Sequence, residues 1–293
     1  MPSFGELRPS DAMEKSGGLA AEFAVLVVTL QIMGKPDLQR CARAAGAEWL
    51  LCDIGNTQSK LHVVRHGAIA ELMLVPHGRE EWLREQLHGR RFEECLVSAT
   101  GEVSATLAAL LEEHCARVWH LSCELPLPLA IDYRSPHTLG ADRIAAAAGA
   151  VALGIAGEGP VLIADAGTAL TLDVVSADGR FLGGNISPGV RMRIEALHGH
   201  TAHLPAIASE GDTPLIGYST DTALRAGCVG GVAREIDALA DALARDGAPA
   251  PTVLTGGDAE LIAPLLRHPY RLEHDLVAHG MLAILQYQLQ KQN

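Results

Sequence analysis

The chain has 293 residues, 48% of them hydrophobic and 20% charged, enough to bury a substantial core in one or two domains. A formal net charge of -12 excludes a general nucleic-acid binder, which needs clustered Lys and Arg to neutralise phosphates. Six cysteines, at positions 41, 52, 95, 115, 123 and 228, show no C-x-x-C spacing, so free thiols in a reducing compartment, the cytoplasm, are expected.

Residues 1–48 precede the first motif, with Gly17-Gly18 and Lys35-Pro36 as punctuation and a short helix predicted over 37–45. The apolar run 19–33 contains Glu22 and is too short to span a bilayer.

Trp49 to Val64 reads as an apolar strand, a tight glycine turn and a second strand. Such a turn suits phosphate. Gly55 lets the backbone approach a bulky anion, amides around Asn56 and Thr57 can point at phosphate oxygens, Asp53 can hold a hydrated magnesium ion, and Lys60 adds positive charge. An ordinary hairpin with an Asp-Ile-Gly turn is the alternative.

Helical spacing follows over 80–87 and 102–115, with short strands at 95–98 and 117–121, an α/β alternation. Trp82 and Trp119 are expected in the core. Pro126 and Pro128 mark a loop, and 140–151 is an alanine-rich helix whose small side chains permit close packing. At its start, Gly140, Asp142 and Arg143 offer either a base beside an anion-binding guanidinium or an acidic residue favouring the helix dipole. Residues 157–160 are the expected domain boundary.

Val161 to Val175 repeats the first design, with Asp165-x-Gly167, the hydroxyl of Thr168 and an alternating strand through Asp173. A repeat on this scale implies two related half-domains, 49–159 and 160–293. Asp178-Gly179 signals a hairpin, 183–189 a glycine-rich bend, and 190–197 a helix. His198, His200 and His203 lack a fourth ligand at convincing spacing and read as packing rather than zinc. A long helix over 220–243 admits Gly227, Gly230 and Gly231, which predicts another backbone packed against it. A third glycine turn, Thr255 to Ala259, follows a short strand, and 275–290 closes the chain as a helix.

Three such turns in this order resemble the actin-like, sugar-kinase and chaperone ATPase superfamily. Two of its phosphate loops face each other and a third flanks adenosine. More specifically, the chain from Trp49 onward resembles the type III pantothenate kinases, a family that includes sequences called Bvg accessory factor. The resemblance rests on D-x-G-N-T at 53–57, Tyr133 ahead of G-x-D-R at 140–143, and D-x-G-T-A at 165–169. It continues through G-G-x-I-x-P-G at 183–189, T-A-x-L-P at 201–205, S-T-x-x-A at 219–223 and T-G-G-D-A at 255–259.

This resemblance implies an actin-like, ribonuclease H-like pair of α/β domains with a cleft, phosphorylating pantothenate with ATP to open coenzyme A synthesis. It places ATP on Asp53, Ile54, Gly55, Asn56, Thr57, Gln58, Ser59, Lys60 and Thr168. It places pantothenate on Tyr133, Gly140, Ala141, Asp142, Arg143 and Thr220, with Asp142 as general base and Arg143 gripping the pantothenate carboxylate or its surroundings. Magnesium belongs at Asp53, through water, and a monovalent cation, potassium or ammonium, at Asp165. The family is a homodimer whose substrate site is completed across the interface, with no nucleic-acid or membrane partner.

The segment before Trp49 departs from the family, and an upstream mis-assigned start, with Met33 as a later one, is favoured over a genuine arm. Two rivals remain: a kinase or phosphatase for another small metabolite, which would not require the pocket from Tyr133 to Arg143, and a non-catalytic regulator. The regulator would be expected to lose Asp53, Asp142 or Asp165, and all three are present.

Overall fold

The computed structural model describes residues 46–76, 78–101, 103–155, 159–244 and 250–292. The expected helix at 37–45, the apolar run, Met33 and half of the boundary at 157–160 lie outside the described residues.

The first sheet is built on β1 (Glu48–Ile54), with β2 (Gln58–Arg65) antiparallel on one side and β4 (Phe92–Ala99) parallel on the other. β3 (Ala68–Pro76) and β5 (Cys115–His120) complete the order β3-β2-β1-β4-β5. β1 is apolar on both faces because both are covered: Leu50 and Cys52 pack on α1 (Glu80–Leu87) and α2 (Ala105–His114), while Leu51 faces inward. Asp53 shares the parity of Leu51 and so belongs to the inward face.

The second sheet centres on β7 (Val161–Ala166), flanked by β8 (Ala169–Val175) and β10 (Thr252–Thr255), with β9 (Arg180–Pro188) and β11 (Tyr270–Leu272) beyond them. β6 (Ala130–Ile131) adds to β9, giving β11-β10-β7-β8-β9-β6. Without β6, strand order and pairing directions match those of the first sheet. This duplicated topology is that of the actin-like, ribonuclease H-like fold.

Between the sheets lie α3 (Ala141–Ala152) and α7 (Leu276–Lys291), in one core with Leu51 and Leu96 from the first sheet and Ile163 and Val253 from the second. Their backbones touch: a Cβ on Gly149 would overlap the Leu276 carbonyl oxygen, and one on Gly280 would overlap that of Ala145. The alanine run is therefore the close-packing surface it was expected to be, and its partner is the last helix. On the far side of the second sheet, α4 (Val190–His200) and α5 (Thr220–Ala242) cover Leu162, Leu170 and Leu172, beside the short α6 (Ala259–Ile262).

Four expectations are corrected. The 183–189 segment is no bend: β9 runs to Pro188, Gly184 approaches β8 at Leu172 and Asp173, Gly183 lies against the Tyr133 ring, and the β8–β9 register shifts between Val174 and Val175. Gly227 faces nothing within 4 Å, and Gly230 and Gly231 face the guanidinium groups of Arg234 and Arg193, so no backbone among the described residues packs there. Trp82 is 39% exposed because α1 buries Leu83 and Leu87 instead. The helix expected over 102–115 starts only at Ala105, after Ser104 accepts the Leu107 amide as its cap, and Cys115 already belongs to β5.

Candidate active site

Asp53 and Asp165 occupy the same place in their sheets, near the carboxyl end of the central strand. Asp53 pairs across β1 with Lys60 on β2 and Ser98 on β4; Asp165 pairs with Thr171 on β8 and Thr255 on β10. Strand periodicity puts directly opposed side chains on one face, so Lys60 stands beside the Asp53 carboxylate. The turn after each strand is closed by its glycine: the Gly55 amide donates to Gln58 O at 3.2 Å, and the Gly167 amide to Ala169 O at 3.1 Å, a turn one residue shorter. Their tips meet, with Thr57 Oγ1 and Thr168 Oγ1 3.4 Å apart.

The turns border a cleft of about 250 Å³ that also holds Asp142 and the third turn, Thr255 to Asp258. The Asp258 amide donates to Ala166 O at 2.9 Å, fastening the third turn to the second. Asp142 lies in the first turn of α3, where its Oδ1 accepts the Arg143 amide at 2.8 Å. The two readings of this residue are thus compatible: it sits at a helix start and it faces the cleft.

Three carboxylates here resist ionisation. Burial, reinforced by Asp142 and opposed by Lys60, pushes Asp53 up to about 6. Burial, with Asp142 and Asp53 adding to it, pushes Asp165 up to about 7. Asp142 is raised by burial and held back by the amide and charge of Arg143. A cation fits such a site, because it would relieve the mutual repulsion. Among the described residues no three His, Cys, Asp or Glu converge as a metal-ligand group. A magnesium ion bound through one carboxylate, water and substrate phosphates is consistent with that donor set.

The residues expected at the site do not all meet. Asp53, Gly55, Asn56, Thr57, Gln58, Lys60, Asp142, Asp165 and Thr168 line one cleft. Ile54 and Ser59 are buried within the first sheet, and Gly140 and Ala141 begin α3. Arg143 turns away: it is 5% exposed, and its Nε donates to Asp173 Oδ1 at 2.9 Å and Oδ2 at 3.2 Å. The Tyr133 ring packs edge-on to Phe181 beside that guanidinium. Thr220 is exposed at the start of α5 and does not line the cleft. It does not cap its helix either: Ser219 and Thr222 form the capping box.

The cleft also contains residues that sequence reasoning left without a role, among them His62, Arg191, His274 and Asp275. His62 follows Lys60 by two on β2, so strand alternation alone placed it beside Lys60. Asp275 and His274 reach the cleft through the tertiary placement of α7, which leaves no local signal.

A family model described as "Type III pantothenate kinase" matches residues 49–242. A protein of that name from Porphyromonas gingivalis strain W83 is 39% identical over 242 residues, covering 81% of this chain and 98% of the relative. Another, from Azobacteroides pseudotrichonymphae, is 36% identical over 240 residues, covering 82% and 97%. Among solved structures, a conserved putative Baf family transcriptional activator from Campylobacter jejuni aligns with a TM-score of 0.55 and 22% identity, over 82% of this chain and 99% of that one, and shares the fold.

Proposed function

The chain belongs to the type III pantothenate kinase family, and from that premise we propose which of its residues carry the transfer of the ATP γ-phosphoryl group to the primary hydroxyl of pantothenate. The reaction yields 4'-phosphopantothenate, the first step of coenzyme A biosynthesis.

Asp142 is the general base. It shares the cleft with both phosphate turns, and this placement is the observation that carries the reading. Its raised affinity for a proton brings it nearer the operating pH, where a base is most effective. The amides from Gly55 to Gln58, the Thr57 and Thr168 hydroxyls and the Lys60 ammonium hold the triphosphate, and positioning of this kind dominates phosphoryl transfer. Magnesium at Asp53, through water, and potassium or ammonium at Asp165 would supply charge neutralisation on the phosphates. Gly140, Ala141, Tyr133 and the main chain of Arg143 border the pantothenate site. The grip expected from the Arg143 guanidinium is not retained, because Asp173 occupies it.

The active unit is a homodimer, with Thr220 reaching the partner's substrate. What supports this is the exposed apolar run just before it: Leu215 is 78%, Ile216 81% and Tyr218 75% exposed, more than an isolated surface residue needs to be. The described cysteines are free, in keeping with the cytoplasm, and no helix among the described residues is long and apolar enough to cross a membrane. The paired sheets support half-domains 49–159 and 160–293, though β6 joins the second sheet and α7 returns to pack on β1.

A coupled assay of ADP release with and without pantothenate tests the reading. Release should depend on pantothenate; release that ignores it, or that another hydroxylated metabolite elicits equally, sinks the substrate assignment.

A further inference from the structure

We propose that Asp173 is a positioning residue for phosphoryl transfer: by locking Arg143 into the second sheet, it holds the neighbouring Asp142 carboxylate in the cleft. This rests on the reading of Asp142 as the base.

Successive residues on a helix project about 100° apart around its axis, so whatever fixes Arg143 also fixes where Asp142 points. Arg143 is fixed by an enclosed ion pair. Its Nε contacts both oxygens of Asp173, its Nη2 donates to Oδ1, and its guanidinium lies 5.6 Å from the centroid of Phe181 and 5.9 Å from that of Tyr133. Asp173 is 0% exposed. The main-chain amide of the same Arg143 donates to Asp142 Oδ1, so one residue joins the ion pair to the base.

The sheet is built to admit this carboxylate. Gly184 stands directly opposite Asp173 in the β8–β9 register, and a Cβ there would lie 2.5 Å from Asp173 Oδ1 and overlap the Leu172 carbonyl oxygen. Burying a charge pair is costly, and a sheet position stripped of its side chain to accommodate one points to a use beyond stability.

Charge balance supplies the second half of the argument. Asp142 faces Asp53 on β1, Asp165 on β7 and Arg143 on its own helix, and Asp173 on β8 offsets Arg143. With Asp173 neutral, the enclosed guanidinium keeps no carboxylate partner among the described residues except Asp142, whose charge already interacts with it. Pairing with it would draw the proton acceptor away from the substrate hydroxyl and make it a weaker base.

The test is Asp173→Asn in the full chain, with kcat, both KM values and the pH dependence of kcat. A displaced base predicts kcat down about 10–100-fold, KM for ATP within about twofold of wild type, and an acidic limb moved to lower pH. A purely structural role would lower thermal stability and leave the pH profile of the folded fraction in place, which overturns the proposal, as does wild-type kcat. If Asp173→Asn is insoluble, Arg143→Lys carries the test alone: it keeps the charge but cannot fork onto the carboxylate, and should show the same kcat loss with KM for ATP within about twofold of wild type, whereas wild-type kcat overturns the proposal. A rise confined to KM for pantothenate would instead assign Arg143 to the substrate and overturn the proposal. In a soluble pair, the double variant should be no worse than the poorer single, whereas additive losses contradict a shared bridge. Asp142→Asn separates the two readings. Retained activity there removes the base itself; an inactive Asp142→Asn beside a normal Asp173→Asn removes only the positioning role.

Discussion

Thr57 and Thr168, 111 positions apart in the chain, bring their hydroxyl oxygens within 3.4 Å of each other across the cleft. One phosphate oxygen that accepts from two hydroxyls at about 2.7 Å each, along lone-pair directions about 110° apart, spaces the two tips roughly 4.4 Å, more than they now stand. Binding of ATP is therefore expected to part them. Cysteines placed by Thr57→Cys and Thr168→Cys should cross-link under mild oxidation, and ATP should slow the reaction. A cross-linking rate that ATP leaves unchanged, measured by mass spectrometry of the joined peptides, would show that the tips stay together.

Asp142→Asn should lower kcat by about 10²–10⁴-fold, since it removes a proton acceptor while conserving volume. Nucleotide binding, followed by calorimetry, should stay close to wild type. Near-wild-type kcat in the purified variant would remove Asp142 from its role.

Potassium or ammonium should support turnover and sodium should not, if Asp165 holds a large, weakly hydrated cation. Asp165→Ala should lose both the dependence and most of the activity. Turnover in sodium-only buffer equal to that in potassium would count against the site.

The raised carboxylates also make a stability prediction. Asp53 and Asp165 titrate near 3.8 when unfolded but at about 6 and about 7 in the fold, so between those limits the native state holds more protons. Their contribution is then fully present at low pH and is lost as pH rises through 6 and 7. Other carboxylates, such as Glu71 beside Arg90, act in the opposite sense, so the informative quantity is a difference. Relative to wild type without nucleotide, divalent metal, potassium or ammonium, Asp165→Asn should gain stability in urea between pH 5 and about 7. An identical pH dependence for the two proteins would mean that Asp165 is not held protonated.

Much of this site was legible because phosphate turns are local. Asp53, Gly55 and Thr57 fall within five positions, as do Asp165, Gly167 and Thr168, so composition and spacing reveal them. What escaped depends on register and tertiary placement. Asp173 was visible in the second strand, but its burial against Arg143 follows from pairing 30 residues apart, and Gly184 opposite it looked like a turn residue. A glycine that bends a chain and a glycine that makes room for a neighbouring carboxylate look alike in sequence. Gly227, Gly230 and Gly231 carry the same ambiguity: no described backbone packs on them, and the backbone contact found lies between Gly149 and Gly280.

Thr220 provides the test of a site shared between subunits. Thr220→Ala should raise KM for pantothenate far more than KM for ATP. Mixing Asp142→Asn with Thr220→Ala subunits should give heterodimers with one intact site, and activity above the average of the parents. An average value, with subunit exchange demonstrated, would mean that Thr220 acts within its own subunit or not at all.

The contact between α3 and α7 sets a timetable for synthesis. The helix that begins with Asp142 is complete by residue 152, yet the backbone it packs against, around Gly280, is translated 131 residues after Gly149. At about 5–20 residues per second, the nascent chain waits roughly 7–26 seconds with that alanine-rich surface unpaired. Until the final helix leaves the ribosome, the chain has both glycine turns but no fixed seat for Asp142, the proposed base. A chain stalled at residue 270 should be protease-sensitive and inactive, and those released without the last helix have nothing to fill the groove.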